Sequence, residues 1–331
     1  MDIDFRKFRL FSAPMAGFTN IAHRELLRFH GGVDLIATEM VSARSFVELD
    51  KRNVEHPSRL WGVREEPRPL AVQIWDNDPN SLSEFARRLA FDFRVSVIDL
   101  NFGCPAKQIA GRCASGASLL QFPERIGDIV QRVVRAASPI PVTAKIRLGG
   151  TQDTINAVDV AQAVESAGAA ALTVHGRTAA DMYRGTADWN EIAKIKPKLQ
   201  HIPLIGNGDI RTVDDALFRL RNFPVDGIMI GRGGIERPWL FRQVAQALRG
   251  ESIDKEPTSA ILRELIERHY ALIEQRFDEK LAAILMRKYA CRYSTGRPGA
   301  RTFRNAICSA SDKTEFFRIL EEFLADSDQE T

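Results

Sequence analysis

The chain has 331 residues, 44% hydrophobic and 27% charged, with a net charge of +3, a composition that describes one large globular domain plus a smaller one. The first ten residues carry no signal-peptide core, and no apolar run is long enough to span a bilayer. Cys104, Cys113, Cys291 and Cys308 fit neither a C-x-x-C pattern nor a secreted disulfide framework, so a cytoplasmic protein with reduced thiols is expected.

Short, nearly all-apolar strands are predicted at residues 10–16, 35–38, 70–75, 95–101, 142–147, 171–175, 203–207 and 227–231. Amphipathic helical stretches fall between most of them, at 82–90, 123–137, 155–167 and 213–220. Strands of this kind belong to parallel sheets buried on both faces. Eight such units over about 240 residues match a (β/α)8 TIM barrel of the α/β class, with a doubly wound sheet as the competing fold. After Gly250 the pattern changes. A polar linker with Pro257 leads into helical spacing that runs to the end, with Leu262, Leu265, Ile266 and Tyr270 on one face. The expected organisation is a barrel domain over residues 1–250 and a small all-helical domain over 251–331, with an acidic tail that frays.

In such a barrel the active site forms at the C-terminal ends of the strands. Polar residues gather there: Gln73, Asn101, Lys145 with Arg147, His175, Asn207 with Asp209, and Arg232. The loops Gly206-Asn207-Gly208-Asp209 and Gly231-Arg232-Gly233-Gly234 follow the last two strands, where backbone N–H groups and a helix N-terminus commonly hold a phosphate. Lys145 would stabilise a reduced flavin anion, or else pair with a buried carboxylate such as Asp99; His175 reads equally as a core histidine. The most telling segment is Asp99-Leu100-Asn101-Phe102-Gly103-Cys104-Pro105. It presents a thiol from a Gly/Pro turn at a strand end, the placement of a proton donor. Cys113 reads as a small loop residue. Farther on, Arg287, Lys288, Arg292, Arg297, Arg301 and Arg304 occur with no intervening acid, interleaved with Tyr289, Tyr293 and Phe303. That is either a phosphate-binding surface with stacking rings or a solvated basic face.

Several segments are recognisable together: Ala13 to Gly17, Thr38 to Val41, Asp99 to Pro105, Ser115 to Leu120, Lys145 to Arg147, His175 to Thr178, Tyr183 to Trp189, Gly206 to Ile210, Met229 to Gly233 and Pro238 to Phe241. In that order, over residues 10–245, the chain resembles the tRNA-dihydrouridine synthases, FMN-dependent enzymes that reduce uridine in tRNA, and their bacterial B-type branch in particular. The resemblance implies an FMN-binding barrel followed by a helical tRNA-binding domain. It implies that Pro14, Met15 and Ala16 line the flavin ring and that Gln73, Lys145 and His175 meet its polar edge. Asn207, Gly208, Asp209, Gly231 and Arg232 would hold the ribityl chain and phosphate, and Asn101 and Arg177 would contact the target uracil. Arg287, Lys288, Arg292, Arg297, Arg301 and Arg304 would grip the tRNA.

Cys104 matches the family's proton donor. Hydride from N5 of reduced FMN would reach C6 of a D-loop uracil, Cys104 would protonate C5, and NADPH would re-reduce the flavin. A thiol of ordinary pKa, about 8.5, is protonated near neutral pH and suits an acid. The base would have to be turned out of its stack. Trp75 and Asp76 depart from the small residue more usual after Gln73. No metal, membrane or obligatory protein partner is implied. The rival readings are a flavin oxidoreductase acting on a free pyrimidine, similar to dihydroorotate dehydrogenase, and a non-catalytic flavin-containing RNA-binding protein.

Overall fold

The computed structural model describes residues 3–54 and 58–329, with side chains as far as residue 325. Of the acidic tail expected to fray, 326–329 continue the last helix, and 330–331 lie outside the described residues. The barrel strands, in chain order, are β1 (Leu10–Ser12), β2 (Ile36–Ala37), β3 (Val41–Ser42), β4 (Leu70–Trp75), β5 (Val97–Phe102), β6 (Val142–Arg147), β7 (Ala171–His175), β8 (Leu204–Asn207) and β9 (Gly227–Ile230). β2 and β3 both pair with β4 and fill one barrel position as a strand interrupted at Thr38-Glu39-Met40. All pairings are parallel, in the order β1-β9-β8-β7-β6-β5-β4-β2. A parallel bridge from Phe11 to Leu35, with the Ser12 N–H donating to the Leu35 carbonyl at 3.0 Å, brings the two ends of that path together. Sequential neighbours that come back on themselves make a TIM-type barrel and exclude the doubly wound sheet, whose strand order reverses at a switch point.

The barrel helices are α1 (Ile21–His30), α2 (Ala43–Lys51), α3 (Pro79–Phe91), α4 (Pro123–Ala137), α5 (Ala157–Ser166), α6 (Trp189–Ala193), α7 (Val213–Asn222), α8 (Arg232–Glu236) and α9 (Leu240–Arg249). Their starts are chemically specified. Asp78 caps α3 by accepting from the Asn80 and Ser81 N–H groups, with Pro79 in the first turn. Thr212 and Asp215 form a capping box on α7. β1 stops at Ser12 rather than running to residue 16. Pro14 has no N–H to give a ladder, and the Phe18 and Thr19 N–H groups both turn back onto the Met15 carbonyl.

Along each strand the side chains alternate between two cores. Val72, Ile74, Ile98, Leu100, Ala144, Ile146, Leu172 and Val174 face the helices. The opposite set fills the barrel, with Phe5, Phe11, Leu35, Val97, Ala171, Ile205 and Met229 in its apolar part. Continuing those inward files toward the strand C-termini gives Gln73, Asp99, Asn101, Thr143, Lys145, Arg147, His175 and Asn207. The polar mouth is therefore the top layer of a packed interior.

Four further helices follow: α10 (Ser259–Glu274), α11 (Glu279–Tyr293), α12 (Ala300–Ile307) and α13 (Lys313–Gln329). They do not stand clear of the barrel. Leu262, Ile266, Met286, Ile307 and Phe316 share one apolar core with Ala22 and Leu26 of α1 and with Ile235 and Trp239 near α8 and α9. Nor are the interleaved aromatics free to stack on bases. Tyr289, Tyr293 and Phe303 are 0%, 2% and 4% exposed. Positions 282, 286, 289, 290 and 293 form the buried face of α11, so this aromatic spacing is a core stripe.

That core contains buried histidines. His23 stacks on Tyr289 with centroids 5.8 Å apart, and the His269 Nδ1 lies 2.7 Å from the Tyr293 hydroxyl. Burial lowers His23 to about 3 and His30 to about 4, and holds His269 well below the usual histidine value. Unfolding lets these rings bind protons near their free pKa of about 6.5. Their contribution is thus fully present above that value and is lost as pH falls toward the folded values. The melting temperature is expected to drop between pH 7 and pH 5. An unchanged melting temperature over that interval would contradict this account of the docked helices.

Candidate functional site

The C-terminal ends of the strands open into a cavity of about 490 Å³. Its lining brings together Pro14, Met15, Ala16, Gln73, Asn101, Cys104, Lys145, His175, Arg177, Asn207, Gly208, Asp209, Gly231 and Arg232 from the barrel, and Arg292 from α11. Strand register explains the grouping. Gln73 is level with Asp99, Asn101 with Lys145, Arg147 with His175, and His175 with Asn207.

A hydrogen-bond relay fixes the floor. Thr143 Oγ1 and Gln73 Nε2 both donate to the Asp99 carboxylate, at 2.7 Å each. Gln73 Oε1 accepts from Asn101 Nδ2 at 2.8 Å. Asn101 Oδ1 then accepts the Gly103 and Cys104 N–H groups, at 3.0 and 2.9 Å, so Asn101 shapes the turn that presents the thiol. Its Nδ2 also faces the Met40 sulfur at 3.3 Å, a weak bond. Arg147, 3% exposed, ties the far side of the turn by donating to the Gly103 carbonyl at 2.9 Å.

Behind Cys104 the chain makes one turn of π-helix (Lys107–Arg112), a form often found at functional sites. It returns at Gly116, whose φ is +57°, a left-handed conformation that favours glycine. A Cβ there would lie 2.7 Å from the Cys104 carbonyl oxygen. Gly116→Ala is expected to push the thiol out of place and slow thiol-dependent turnover about 10²-fold, with the circular-dichroism spectrum retained. Turnover at the parent rate would show that the Gly116 contact does not position Cys104.

Burial pushes the Cys104 thiol up, against smaller opposing effects from the Ala106 N–H, Arg147 and Lys145. A thiol set this way stays protonated at neutral pH. Lys145 donates to Asn207 Oδ1 at 3.1 Å, while Asp99 is hydrogen-bonded by Thr143 and Gln73, so Lys145 meets the carboxylate through charge and not through a hydrogen bond. An ammonium has three N–H donors, and Asn207 takes one. Burial and the neighbouring Arg147 lower Lys145 to about 8. His175 is held well below its usual value by burial and by Lys145, Arg147, Arg177 and Arg232, so it is neutral. Its Nε2 lies 3.2 Å from Arg177 Nη1. Because a guanidinium only donates, Nε2 accepts and the ring proton sits on Nδ1.

Arg177, 2% exposed, donates to the Arg184 and Gly185 carbonyls at 3.0 and 2.7 Å and to both oxygens of Asp209 at 2.9 and 2.8 Å. Most of its guanidinium is thereby committed to the loops after β7 and β8. Asp209 also accepts from Arg232 at 3.2 Å and from the Ala187 N–H at 2.7 Å, so its carboxylate orients Arg232.

Of the basic residues past 280, only Arg292 lines the cavity. Arg287 donates to the Cys308 carbonyl, Arg297 to the Pro257 carbonyl and Arg304 to Ser294 Oγ. Arg301 is exposed. Lys288 bonds the Gly17 carbonyl. The cavity also takes in Phe18, Met40, Tyr183 and Arg211, which sequence reasoning did not single out. Met40 and Tyr183 lie inside recognised segments; Phe18 and Arg211 are loop residues with no local signal.

The cavity suits an aromatic group carrying a phosphate. The Arg232 and Gly233 N–H groups at the start of α8 have no intrahelical acceptor, the bare backbone of Gly231 lies close to the wall, where a Cβ would stand 3.6 Å from both the Ala13 Cβ and the Met15 sulfur, and Arg232 and Arg211 stand nearby. Among the described residues, no helix is long and apolar enough to cross a membrane, and no cluster of His, Cys, Asp or Glu is arranged to hold a metal.

Fold and site together define a TIM-barrel protein with a cationic mouth built around one neutral thiol. The family model described as dihydrouridine synthase matches residues 11–329. A protein of Pseudomonas aeruginosa named tRNA-dihydrouridine synthase B is 36% identical over 328 residues, covering 96% of this chain and 93% of its own length. A probable tRNA-dihydrouridine synthase of Mycobacterium tuberculosis is 36% identical over 318 residues, covering 93% and 80%. A tRNA-dihydrouridine synthase B of Pseudomonas syringae is 37% identical over 308 residues, covering 92% and 88%. The chain belongs to the dihydrouridine synthase family.

Proposed function

We propose that this protein reduces uridine in the D-loop of tRNA to 5,6-dihydrouridine, with FMN as cofactor and NADPH as reductant, in the cytoplasm. The observation that carries the reading is Cys104, kept protonated by burial at the mouth of a cavity ringed by Lys145, Arg147, Arg177 and Arg232. The family match over residues 11–329 supports it.

FMN, when bound, supplies the hydride that reaches C6 of the uracil. The residues of this chain do the rest. Pro14, Met15 and Ala16 form a wall for the flat ring system. Gln73, neutral His175 and the unspent donors of Lys145 address its polar edge. Asn207, Gly208, Asp209, Gly231 and Arg232 take the ribityl chain and phosphate, with Asp209 acting by orienting Arg232. Cys104 delivers a proton from Sγ to C5, and Arg147 and Asn101 hold the turn that aims it. The weak Asn101–Met40 contact is the one a uracil carbonyl would displace. Arg292 at the rim, with Arg287, Arg297, Arg301 and Arg304 behind it, meets the RNA backbone.

The test is to pre-reduce the purified flavoprotein and offer it unmodified tRNA transcript or free uracil. Flavin reoxidation by tRNA alone is expected. Reoxidation by free uracil, with tRNA inert, would overturn the RNA reading in favour of a free-pyrimidine enzyme.

A further inference from the structure

Lys288 and Tyr289, adjacent on α11, turn toward the barrel. The Lys288 ammonium donates to the Gly17 carbonyl and lies 5.2 Å from the centre of the Phe18 ring. The Tyr289 hydroxyl donates to the Phe18 carbonyl, and its ring packs edge-on to Phe18 at 5.6 Å. From the barrel side, the Glu39 carboxylate, 7% exposed, accepts the Gly17 N–H. Gly17 is therefore gripped at its N–H by the barrel and at its carbonyl by the helix. Its φ of 79° is a turn conformation that favours glycine.

Between this clasp and β1 hang Pro14, Met15 and Ala16, the wall of the cavity. The wall's other anchors include the Ala13 N–H on the Ile230 carbonyl at 2.9 Å, the Met15 N–H on Thr19 Oγ1 at 3.1 Å, and the Phe18 and Thr19 N–H groups on the Met15 carbonyl. Arg292, one turn beyond Lys288, lines the cavity directly.

We infer that Lys288 and Tyr289 are positioning residues for the cavity: α11 fixes the Pro14-Met15-Ala16 wall through the Gly17 and Phe18 carbonyls, so the helix that presents Arg292 to RNA also sets the surface against which a flat cofactor packs. For the identity of that cofactor the inference rests on the reading given under Proposed function; the clasp itself does not. A phosphate held at Arg292 is then in register with the wall, because one rigid helix carries both. Sequence spacing placed Lys288 among the RNA contacts; its bond to Gly17 assigns it to the wall.

The test uses the full chain as Lys288→Met, Tyr289→Phe and Lys288→Arg. Tyr289→Phe keeps the buried ring and all charges, so it isolates the hydroxyl bond. Amide hydrogen exchange of residues 13–19 is measured first, in protein stripped of flavin. Loss of one such bond is expected to speed exchange about tenfold in Lys288→Met and Tyr289→Phe, with Lys288→Arg restoring most of the protection.

FMN is then added back. The visible circular dichroism of the bound flavin is expected to change in the same two variants, while affinity for tRNA transcript stays within about twofold of the parent because the remaining phosphate contacts are intact. If Lys288 is a phosphate contact instead, exchange and flavin spectrum stay at parent values, tRNA affinity falls and the salt slope drops by about one. That result overturns the inference. Failure of the parent protein to take up FMN would sink the flavin reading and leave the exchange measurement to decide the clasp by itself.

Discussion

Cys104→Ala is expected to lower the rate of uridine reduction by about 10²–10⁴-fold, the usual contribution of a positioned general acid, while flavin content and melting temperature stay near the parent values. The turn does not depend on the sulfur. Asn101 holds it through the Gly103 and Cys104 N–H groups, Arg147 through the Gly103 carbonyl, and the Ala117 N–H through the Cys104 carbonyl at 3.0 Å. Alanine keeps every one of those bonds and removes only the thiol. The pH profile of the parent gives a second reading. An acid works while protonated, and burial raises this thiol, so activity is expected to persist above the free-thiol value of about 8.5 before it declines. Single-turnover reduction of tRNA by the pre-reduced variant checks the first point. A rate equal to the parent's would remove Cys104 from the mechanism.

Arg177→Met is expected to have the largest effect on the fold of the site. The guanidinium is 2% exposed and joins the loop after β7 to the loop after β8. Removing it strips Asp209 of its closest cation and leaves the Arg184 and Gly185 carbonyls without that donor. Asp209 keeps Arg232 and some contact with water, which places the loss near the low end for a broken buried pair, about 3 kcal/mol. Arg232 loses the carboxylate orientation that Arg177 enforces, so retention of FMN should fall with stability. Denaturant unfolding and flavin content measure both. If Arg177 acts chiefly as a uracil contact, the variant will unfold at the parent midpoint, keep its flavin and show only a raised KM for tRNA.

How legible the molecule is in its sequence depends on where the information lies. β4, β6 and β7 match their predicted limits residue for residue, because each is an apolar run ended by turn or polar chemistry. β1 ends at Ser12, short of the predicted residue 16: its hydrophobicity continues past Pro14, where the ladder cannot. The second barrel position reads as a single strand over residues 35–38, since nothing at Thr38-Glu39-Met40 announces that pairing resumes at Val41. The alternation of inner and outer faces was hidden for a general reason: both faces are buried, so both files are apolar until the mouth.

The mouth itself was readable, since polar side chains at the ends of apolar strands stand out, and Gln73, Asn101, Lys145, His175 and Asn207 do line one cavity. What side chains do for one another was not readable. Asn101 and Asp209 look like ligand contacts in sequence and are engaged in aiming Cys104 and Arg232. Tyr289 and Tyr293 look like a nucleic-acid platform, because a core stripe and a stacking stripe have the same spacing. The shared core between the last helices and α1 joins residues more than 200 apart, and no local pattern encodes it.

The central claim is that this chain installs dihydrouridine in tRNA. The most direct measurement is a map of dihydrouridine in total tRNA from cells with the gene intact, deleted, and restored as parent or as Cys104→Ala. The account predicts that one or more D-loop dihydrouridines disappear on deletion, return with the parent and stay absent with Cys104→Ala. A dihydrouridine map unchanged by deletion, with no new site on overexpression, would contradict it.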